Sequence, residues 1–125
     1  MDYSILDHLL NPIIVVDKSS NIKYFNHICS TYFKIPPRKI KKFEHINELL
    51  LNSGKNISEN LQQVFNEKVP VISREIEISL PENLESKLTV LLKMIPSGDD
   101  VLIHVWDMSI EKQLHEKYKT QIVQL

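Results

Sequence analysis

Apolar residues along the chain change repeatedly between a helical spacing and a strict alternation, and these changes divide the sequence into elements. The range Tyr3–Leu10 has apolar residues at helical spacing, and Asn11 and Pro12 end this helix because proline disfavours helical geometry in the residue before it. A β-hairpin is predicted over Ile13–Asn26, where "IIVVD" and "IKYFN" flank the turn residues "KSSN". The first of these strands is apolar on both faces, which predicts a covered, central position in a sheet.

Three helices are predicted in the middle of the chain. Asn26 is expected to cap the first, which runs to Phe33 before the "IPP" at 35–37 breaks it. The stretch "FEHINELLLN" is apolar enough for a second short helix, with Gly54 near its end. The third lies in "ISENLQQVFNEK", with Ser58 as its cap. Its apolar stripe consists of Ile57, Leu61, Val64 and Phe65.

From residue 71 the spacing changes to two, which predicts a half-exposed strand at a sheet edge. The residues expected on its apolar face are Ile72, Ile76, Ile78 and Leu80. Two further strands, "SKLTVLLKMI" and "VLIHVWD", form a hairpin around residues 97–100, where Asp99 and Asp100 are expected to be turn residues whose side chains point apart. Both strands are apolar on both faces, so the outer face around Leu91, Leu102 and Trp106 needs a cover, either the N-terminal helix or a partner subunit.

The order of elements is helix, two strands, three helices, three strands and a final helix. Strands divided into a leading pair and a trailing triplet predict an α+β domain with an antiparallel sheet and the middle helices across one face. A chain of 125 residues suits a single hydrophobic core. The other face of the sheet is then left for the two terminal helices or for a second subunit.

The C-terminal helix begins after the last strand, with Ser109 as its N-cap and Glu111 aligned favourably with the helix dipole. Its apolar stripe consists of Leu114, Tyr118, Ile122 and Leu125. Barely two heptads are present, whereas a coiled coil needs about three or four, so we expect the pattern to be cut short at residue 125. The stripe either packs on the sheet of its own chain or pairs with a second copy, and the sequence leaves both alternatives open.

Two motifs at opposite ends of the chain resemble those of PAS domains, small sensory modules of bacterial signalling proteins, and the resemblance covers nearly the whole chain. In the first hairpin, the positions that the family commonly fills with Asp, Gly and Asn fall on Asp17, Asn21 and Asn26. After the last strand, an Asp-Ile-Thr-Glu-like motif falls on residues 107–109 and, one residue later than usual, on Glu111.

The resemblance implies a five-stranded antiparallel sheet in the order 2-1-5-4-3, with amphipathic helices at both termini. We divide the chain into an N-terminal helix (1–11), a PAS core (12–108) and a C-terminal signalling helix (109–125). In some family members a pocket between sheet and helices holds a haem, a flavin or a small metabolite. The implied role is a cytoplasmic sensor and dimerisation module, not an enzyme, which passes a ligand- or partner-induced change through its last helix to an output domain such as a histidine kinase or cyclase. The alternative is a stand-alone interaction scaffold of the same fold that binds no ligand.

Two sets of residues are candidates for these roles. The pocket would be lined by Phe33, Phe43, Phe65, Ile76, Leu92 and Ile103, although the same side chains equally suit a filled core. Dimerisation and signal transmission are assigned to Leu6, Leu102, Trp106, Asp107, Ser109, Leu114, Tyr118, Ile122 and Leu125. The expected partners are a second copy of the chain and a C-terminal output domain or partner protein.

Charge and composition argue against several other classes. The net charge of −1 supplies no global field for nucleic acid or an anionic membrane. The basic cluster "RKIKK", at 38–42, is either a solvated loop or a contact for phosphate or an acidic partner. With only two glycines, the chain has no Gly-rich phosphate loop. No apolar run reaches the length of a membrane span, and the acidic first ten residues do not resemble a signal peptide, which favours the cytoplasm.

The sequence does not specify a cofactor. Its five histidines lie in different predicted elements without metal-ligand spacing, so zinc is not expected. The resemblance does not imply a haem either: in the better-known haem-binding PAS domains the axial histidine comes from the helix before the third strand, and here that helix has none. His27 and His45 are left as the histidines that could reach a pocket from elsewhere. The family's flavin-adduct cysteine is absent, since Cys29 lies on an earlier helix as a small buried hydrophobe.

Overall fold

A computed structural model describes residues 6–7, 9–50, 54–80, 83–108 and 117 of the chain. Two strands are followed by helices and then by three strands, as the spacing of apolar residues predicts, but the described residues of the middle segment form four helices where three were predicted, since Pro37 begins an additional short helix. In chain order they are β1 Ile13–Val16, β2 Ile22–Phe25, α1 Ile28–Phe33, α2 Pro37–Ile40, α3 Ile46–Leu49, α4 Gly54–Glu67, β3 Val71–Leu80, β4 Asn83–Ser97 and β5 Asp100–Asp107. The α+β class is therefore confirmed.

The five strands form one antiparallel sheet in the order β2-β1-β5-β4-β3, as the resemblance implied. Strand β1 lies between β2 and β5, and all four of its residues are buried, which confirms the prediction of a covered central strand. Its pairing with β5 places Ile14 opposite Ile103 and Val16 opposite Val101. These four side chains face the helices and belong to the main core.

The turn between β1 and β2 is held by a carboxylate. Asp17 Oδ1 accepts hydrogen bonds from the backbone N–H groups of Ser19, at 2.9 Å, and Asn21, at 3.0 Å. Ser20 adopts the left-handed conformation, with φ +66°, that glycine favours. The assignment of the glycine-like position to Asn21 is therefore wrong by one residue.

Helix α1 begins differently from its prediction. Its N-cap is His27, which makes no capping hydrogen bond, and the side chain of Asn26 is used elsewhere. The prediction of Asn26 as the helix cap is wrong because its side-chain oxygen Oδ1 accepts a hydrogen bond from the backbone N–H of Ile13 instead of from the first turn of α1. At the other end Lys34 turns left-handed with φ +57°, and Ile35 is buried before the two prolines begin α2.

Helix α4 is the longest helix of the described residues and packs on the sheet through the predicted stripe. Ile57, Leu61 and Val64 are buried, and Phe65 is partly buried against the same core. Gly54 begins this helix instead of ending the previous one, so Ser58 lies inside the helix and the prediction of Ser58 as its cap is wrong.

Strand β3 lies at the sheet edge as predicted, but its two faces exchange part of the way along. The pairing with β4 shifts between Ser73 and Ile76, because β3 has one residue more than β4 in this interval. A one-residue shift moves every following side chain to the other face. Ile76 and Ile78 therefore face the core, whereas Ile72 is 50% exposed, and its predicted place beside them is wrong.

The β4–β5 hairpin turns at Gly98, with φ +59°, and Asp99. Asp100 is not a turn residue but the first residue of β5, and it is largely buried. Its carboxylate accepts from Lys23 Nζ of β2 at 3.0 Å. The prediction of Asp100 as a turn residue is wrong because it pairs in the sheet as the first residue of β5, where Lys23 of β2 reaches it across β1.

Candidate functional site

The six predicted pocket residues lie together between the sheet and the helices. Phe33, Leu92 and Ile103 are almost completely buried in the main core. Phe43, Phe65 and Ile76 are partly buried and pack against it. The structure thus brings all six to one region, where they act as core side chains. That they also line a ligand pocket stays a prediction.

A cleft of about 310 Å³ lies elsewhere, between the end of β2, helix α1 and helix α2. Its lining mixes polar side chains with an apolar floor. The lining residues are Asp7, Tyr24, Phe25, Asn26, His27, Ser30, Thr31, Pro37, Ile40 and Lys41. None of them is among the six predicted pocket residues, and this volume is at the lower end of the range typical of small-molecule sites.

Asp7 ties the N-terminal segment to one end of this cleft. Its Oδ2 accepts from the Tyr24 hydroxyl at 2.6 Å, and its Oδ1 accepts from the backbone N–H of His27 at 3.0 Å. His27 Nε2 lies 3.4 Å from Asp7 Oδ2, an ion pair whenever the exposed imidazole is protonated. Both carboxylate oxygens of Asp7 therefore accept hydrogen bonds from within the protein.

Asn26 forms the floor of the same region and is buried with every polar atom of its amide used. Oδ1 accepts from the backbone N–H of Ile13, and Nδ2 donates to the carbonyl oxygens of Leu6 and Asn11. Cys29 Sγ lies 3.3 Å from Asn26 Oδ1 and donates to it. Burial raises the pKa of the Cys29 thiol to about 12, so this cysteine is a neutral core residue, as predicted.

The N-terminal segment also covers part of the outer sheet face. Leu6 is buried in a small cluster with Ile13 and Val15, against which Tyr24 and Leu102 pack. This outer cluster is separate from the main core, which lies on the other side of β1. Leu6 and Leu102, both predicted to act in dimerisation, thus contact the same apolar cluster within one chain.

Farther along the outer face, Trp106 is 45% exposed. Its ring stacks at a tilt on His104, with ring centroids 4.8 Å apart. Burial and, secondarily, the charge of Lys93 lower the pKa of His104, which favours the neutral imidazole. The exposed indole leaves this part of the face available to a partner.

Asp107 is the last residue of β5, and its charge affects the pKa of Tyr32 in helix α1. Burial and then the charge of Asp107 raise the pKa of Tyr32, whose ring packs edge-on against Phe33. The last residue of the sheet therefore lies near the first helix of the core. The remaining candidates for signal transmission, Ser109, Leu114, Tyr118, Ile122 and Leu125, lie outside the described residues.

Among the described residues, no three His, Cys, Asp or Glu side chains are grouped so that they could hold a metal ion. His45 Nδ1 accepts from the backbone N–H of Asn47 at the start of α3, and the side chain of His27 is largely exposed at the cleft. No helix in the described ranges is long and apolar enough to cross a membrane.

The fold is that of PAS domains in solved structures. The PAS domain of nitrogen regulation protein NR(II) from Vibrio parahaemolyticus matches with a TM-score of 0.69 at 13% identity, covering 82% of this chain and 94% of that one. A domain of a sensory box sensor histidine kinase/response regulator from Geobacter sulfurreducens matches with a TM-score of 0.63 at 16% identity, covering 80% and 85%. The PAS domain of the quorum-sensing receptor RpfR from Cronobacter turicensis, in complex with BDSF, matches with a TM-score of 0.61 at 11% identity, covering 82% and 97%. No protein-family model matches the sequence, and no curated protein matches it.

Proposed function

We propose, from the premise that this chain has the PAS fold, that it is the sensory module of a signalling protein. A ligand in the core or a bound partner biases the equilibrium between two arrangements of the helix after Asp107, and that helix acts on an output domain such as a histidine kinase or cyclase. The solved structures of similar fold support a sensing role, since one comes from a sensor histidine kinase and another is a receptor domain in complex with BDSF.

The position of β5 is the observation that carries this proposal. Its inward residues Val101, Ile103 and Val105 are completely buried in the main core. Its outward residue Leu102 packs on the outer cluster that contains Leu6. One central strand therefore contacts both the core and the N-terminal segment, and it leads directly into residues 109–125. A change in packing on either side of β5 would reach the chain that follows it.

We propose that the module is cytoplasmic, that it is not an enzyme and that it dimerises through the outer face near Trp106. The cysteine, the strongest nucleophile among side chains, is buried and neutral. The exposed indole of Trp106, which lies opposite half-buried Leu91 and on the same sheet face as Leu102, is typical of an interface anchor.

Sedimentation of Trp106→Glu and Leu114→Lys variants tests the dimer. We expect both variants to shift the chain towards the monomer mass, since each would place a charge in the proposed apolar interface. Val69→Glu is the matched control, because Val69 is similarly exposed, at 43%, but lies in the loop before β3. Unchanged mass in both test variants would contradict the dimer proposal.

The second candidate is a scaffold that binds no ligand. The nearly complete burial of Phe33, Leu92 and Ile103 favours it. Closely packed side chains then fill the region where a ligand would bind. Native mass spectrometry of the chain purified from its own cells separates the two candidates. A retained small molecule supports sensing through a ligand. A mass equal to that of the polypeptide under gentle conditions supports the scaffold.

A further inference from the structure

We propose that the cleft between β2, α1 and α2 binds a small organic anion, a carboxylate with an apolar body, with Lys41 holding the acid group. The site does not depend on the proposed core pocket or on an output domain. Its lining combines an unpaired cation, a hydroxyl donor and an apolar floor.

The charge of the cleft carries the argument for an anion. Two lining residues, Asp7 and Lys41, carry a full charge at neutral pH. The carboxylate of Asp7 is already satisfied by the Tyr24 hydroxyl and the backbone N–H of His27. Within the described part of the chain, no carboxylate pairs with the exposed ammonium of Lys41. The two formal charges of the lining cancel, but the acceptor oxygens of Asp7 are occupied within the protein, whereas the ammonium of Lys41 is left to bind a ligand.

The surroundings of the cleft add positive charge. Residues 34–42 include five basic side chains and no acidic one, although the whole chain has a net charge of −1. All five are exposed: Lys34, Arg38, Lys39, Lys41 and Lys42. Clustered charge of one sign around a concave site raises the local concentration of ligands of the opposite sign. The basic cluster, for which the sequence left open a solvated loop or a contact for phosphate or an acidic partner, thus lies in the segment that supplies Pro37, Ile40 and Lys41 to the cleft.

The remaining lining residues suit a ligand with an apolar part. Phe25, Pro37 and Ile40 supply apolar surface, and Ile40 is fixed by burial in the main core. Thr31, exposed on α1, offers a hydroxyl donor to a carboxylate oxygen. The prolines at 36 and 37 restrict the backbone that positions Lys41, so little of its backbone freedom is lost when a ligand binds.

Two-dimensional NMR titration of the full chain with paired probes tests the site. The acids are benzoate, phenylacetate and hexanoate, and their neutral amides serve as matched ligands. With each probe raised to about 10 mM, a Kd near 1 mM is measurable. We expect at least one acid to shift the backbone N–H resonances of Thr31 and Lys41. The neutral amide form of that ligand should bind at least roughly tenfold more weakly, because a charge-assisted hydrogen bond to the protein is lost.

Charge-reversal variants identify the cation. Lys41→Glu is expected to weaken the acid by at least roughly tenfold, whereas Lys42→Glu, next to it but outside the lining, is expected to weaken it less than about threefold. Both side chains are exposed, so both variants should fold. Three results would each overturn the proposal: binding of no acid, equal binding of acid and amide, or equal losses in the two variants. Shifts confined to core residues such as Leu92 and Ile103 would overturn it as well.

Discussion

Asn26 and Ile13 are joined by two hydrogen bonds across the first hairpin. The backbone N–H of Asn26 donates to the Ile13 carbonyl oxygen over 3.1 Å, and the backbone N–H of Ile13 donates to Asn26 Oδ1 over 3.0 Å. The Asn26 amide also donates to the carbonyl oxygens of Leu6 and Asn11. A single buried side chain thus connects the N-terminal segment, β1 and the start of α1, and leaves none of its amide atoms unsatisfied.

Asn26→Asp should destabilise the protein by about 2–4 kcal/mol in its free energy of unfolding. The aspartate keeps the acceptor for Ile13 but loses both donors and places a carboxylate against two carbonyl oxygens. Urea denaturation measures the change. The control is Asn21→Asp in the exposed turn, which should change stability by no more than about 0.5 kcal/mol. Equal effects of the two substitutions would contradict this account of Asn26.

The register shift in β3 predicts opposite responses from two isoleucines. Ile72→Lys should change the free energy of unfolding by no more than about 0.5 kcal/mol, because the side chain is 50% exposed on the outer face. Ile76→Lys should cost about 2 kcal/mol or more, because it brings an ammonium group towards the core. Thermal or urea unfolding compares them directly. Similar losses for both would show that the strand runs without the bulge.

Cys29 should resist thiol reagents while the protein is folded. With a pKa raised to about 12, only about one thiol in ten thousand is ionised at pH 8, and the side chain has no exposed surface. The absorbance of the thionitrobenzoate that the thiol releases from dithionitrobenzoate should rise slowly in buffer and within minutes in concentrated urea. Rapid, complete reaction of the folded chain would contradict the burial of this residue.

His104 should make stability depend on pH. Its folded pKa is lowered below the ordinary value near 6.5, so below that pH the unfolded state binds the proton more readily. The stability contributed by the neutral side chain is complete above the unfolded pKa and is lost as the pH falls below about 6.5 towards the lower folded pKa. Nε2 is buried and finds no hydrogen-bond partner among the described residues, which adds to the cost of protonation.

The variant His104→Gln should therefore lose less stability over this pH range than the unsubstituted chain, as measured by urea denaturation at several pH values. Lys93→Gln should flatten the dependence in part, because it removes the second cause of the shift but not the burial. An unchanged slope in His104→Gln would exclude this histidine as the titrating group.

The spacing of apolar residues predicted most of the fold correctly. The stripe of Ile57, Leu61 and Val64 is the buried face of α4, and the doubly apolar "IIVV" is the central strand β1. Such predictions hold because the repeat of 3.6 or 2 residues follows from local backbone geometry. Turn conformations were predicted less accurately. The glycine-like position of the first hairpin was assigned to Asn21, but Ser20 adopts the left-handed conformation, because residue types alone do not show which of two neighbouring turn residues has a positive φ.

The candidate site was predicted only in part. The six proposed pocket residues lie in the main core or pack against it, and their role as a ligand pocket stays a prediction. The cleft was missed because its lining comes from distant segments: Asp7 and Lys41 are separated in the sequence by β1, β2, α1 and α2. The signals present in the sequence were the cluster "RKIKK" and the polar start of α1, and neither indicates a concave surface by itself.

The amino-acid sequence by itself determined the five strands, the class of the fold and the buried face of α4, because these follow from the periodicity of neighbouring residues along the chain. Only the tertiary structure decided that Asn26 bonds to Ile13 instead of capping α1, and that β3 exchanges its faces at a bulge. It alone also decided that Lys41 and Asp7 line one cleft. Each of these depends on a partner far away in the chain, whose position is set only when the elements pack against one another.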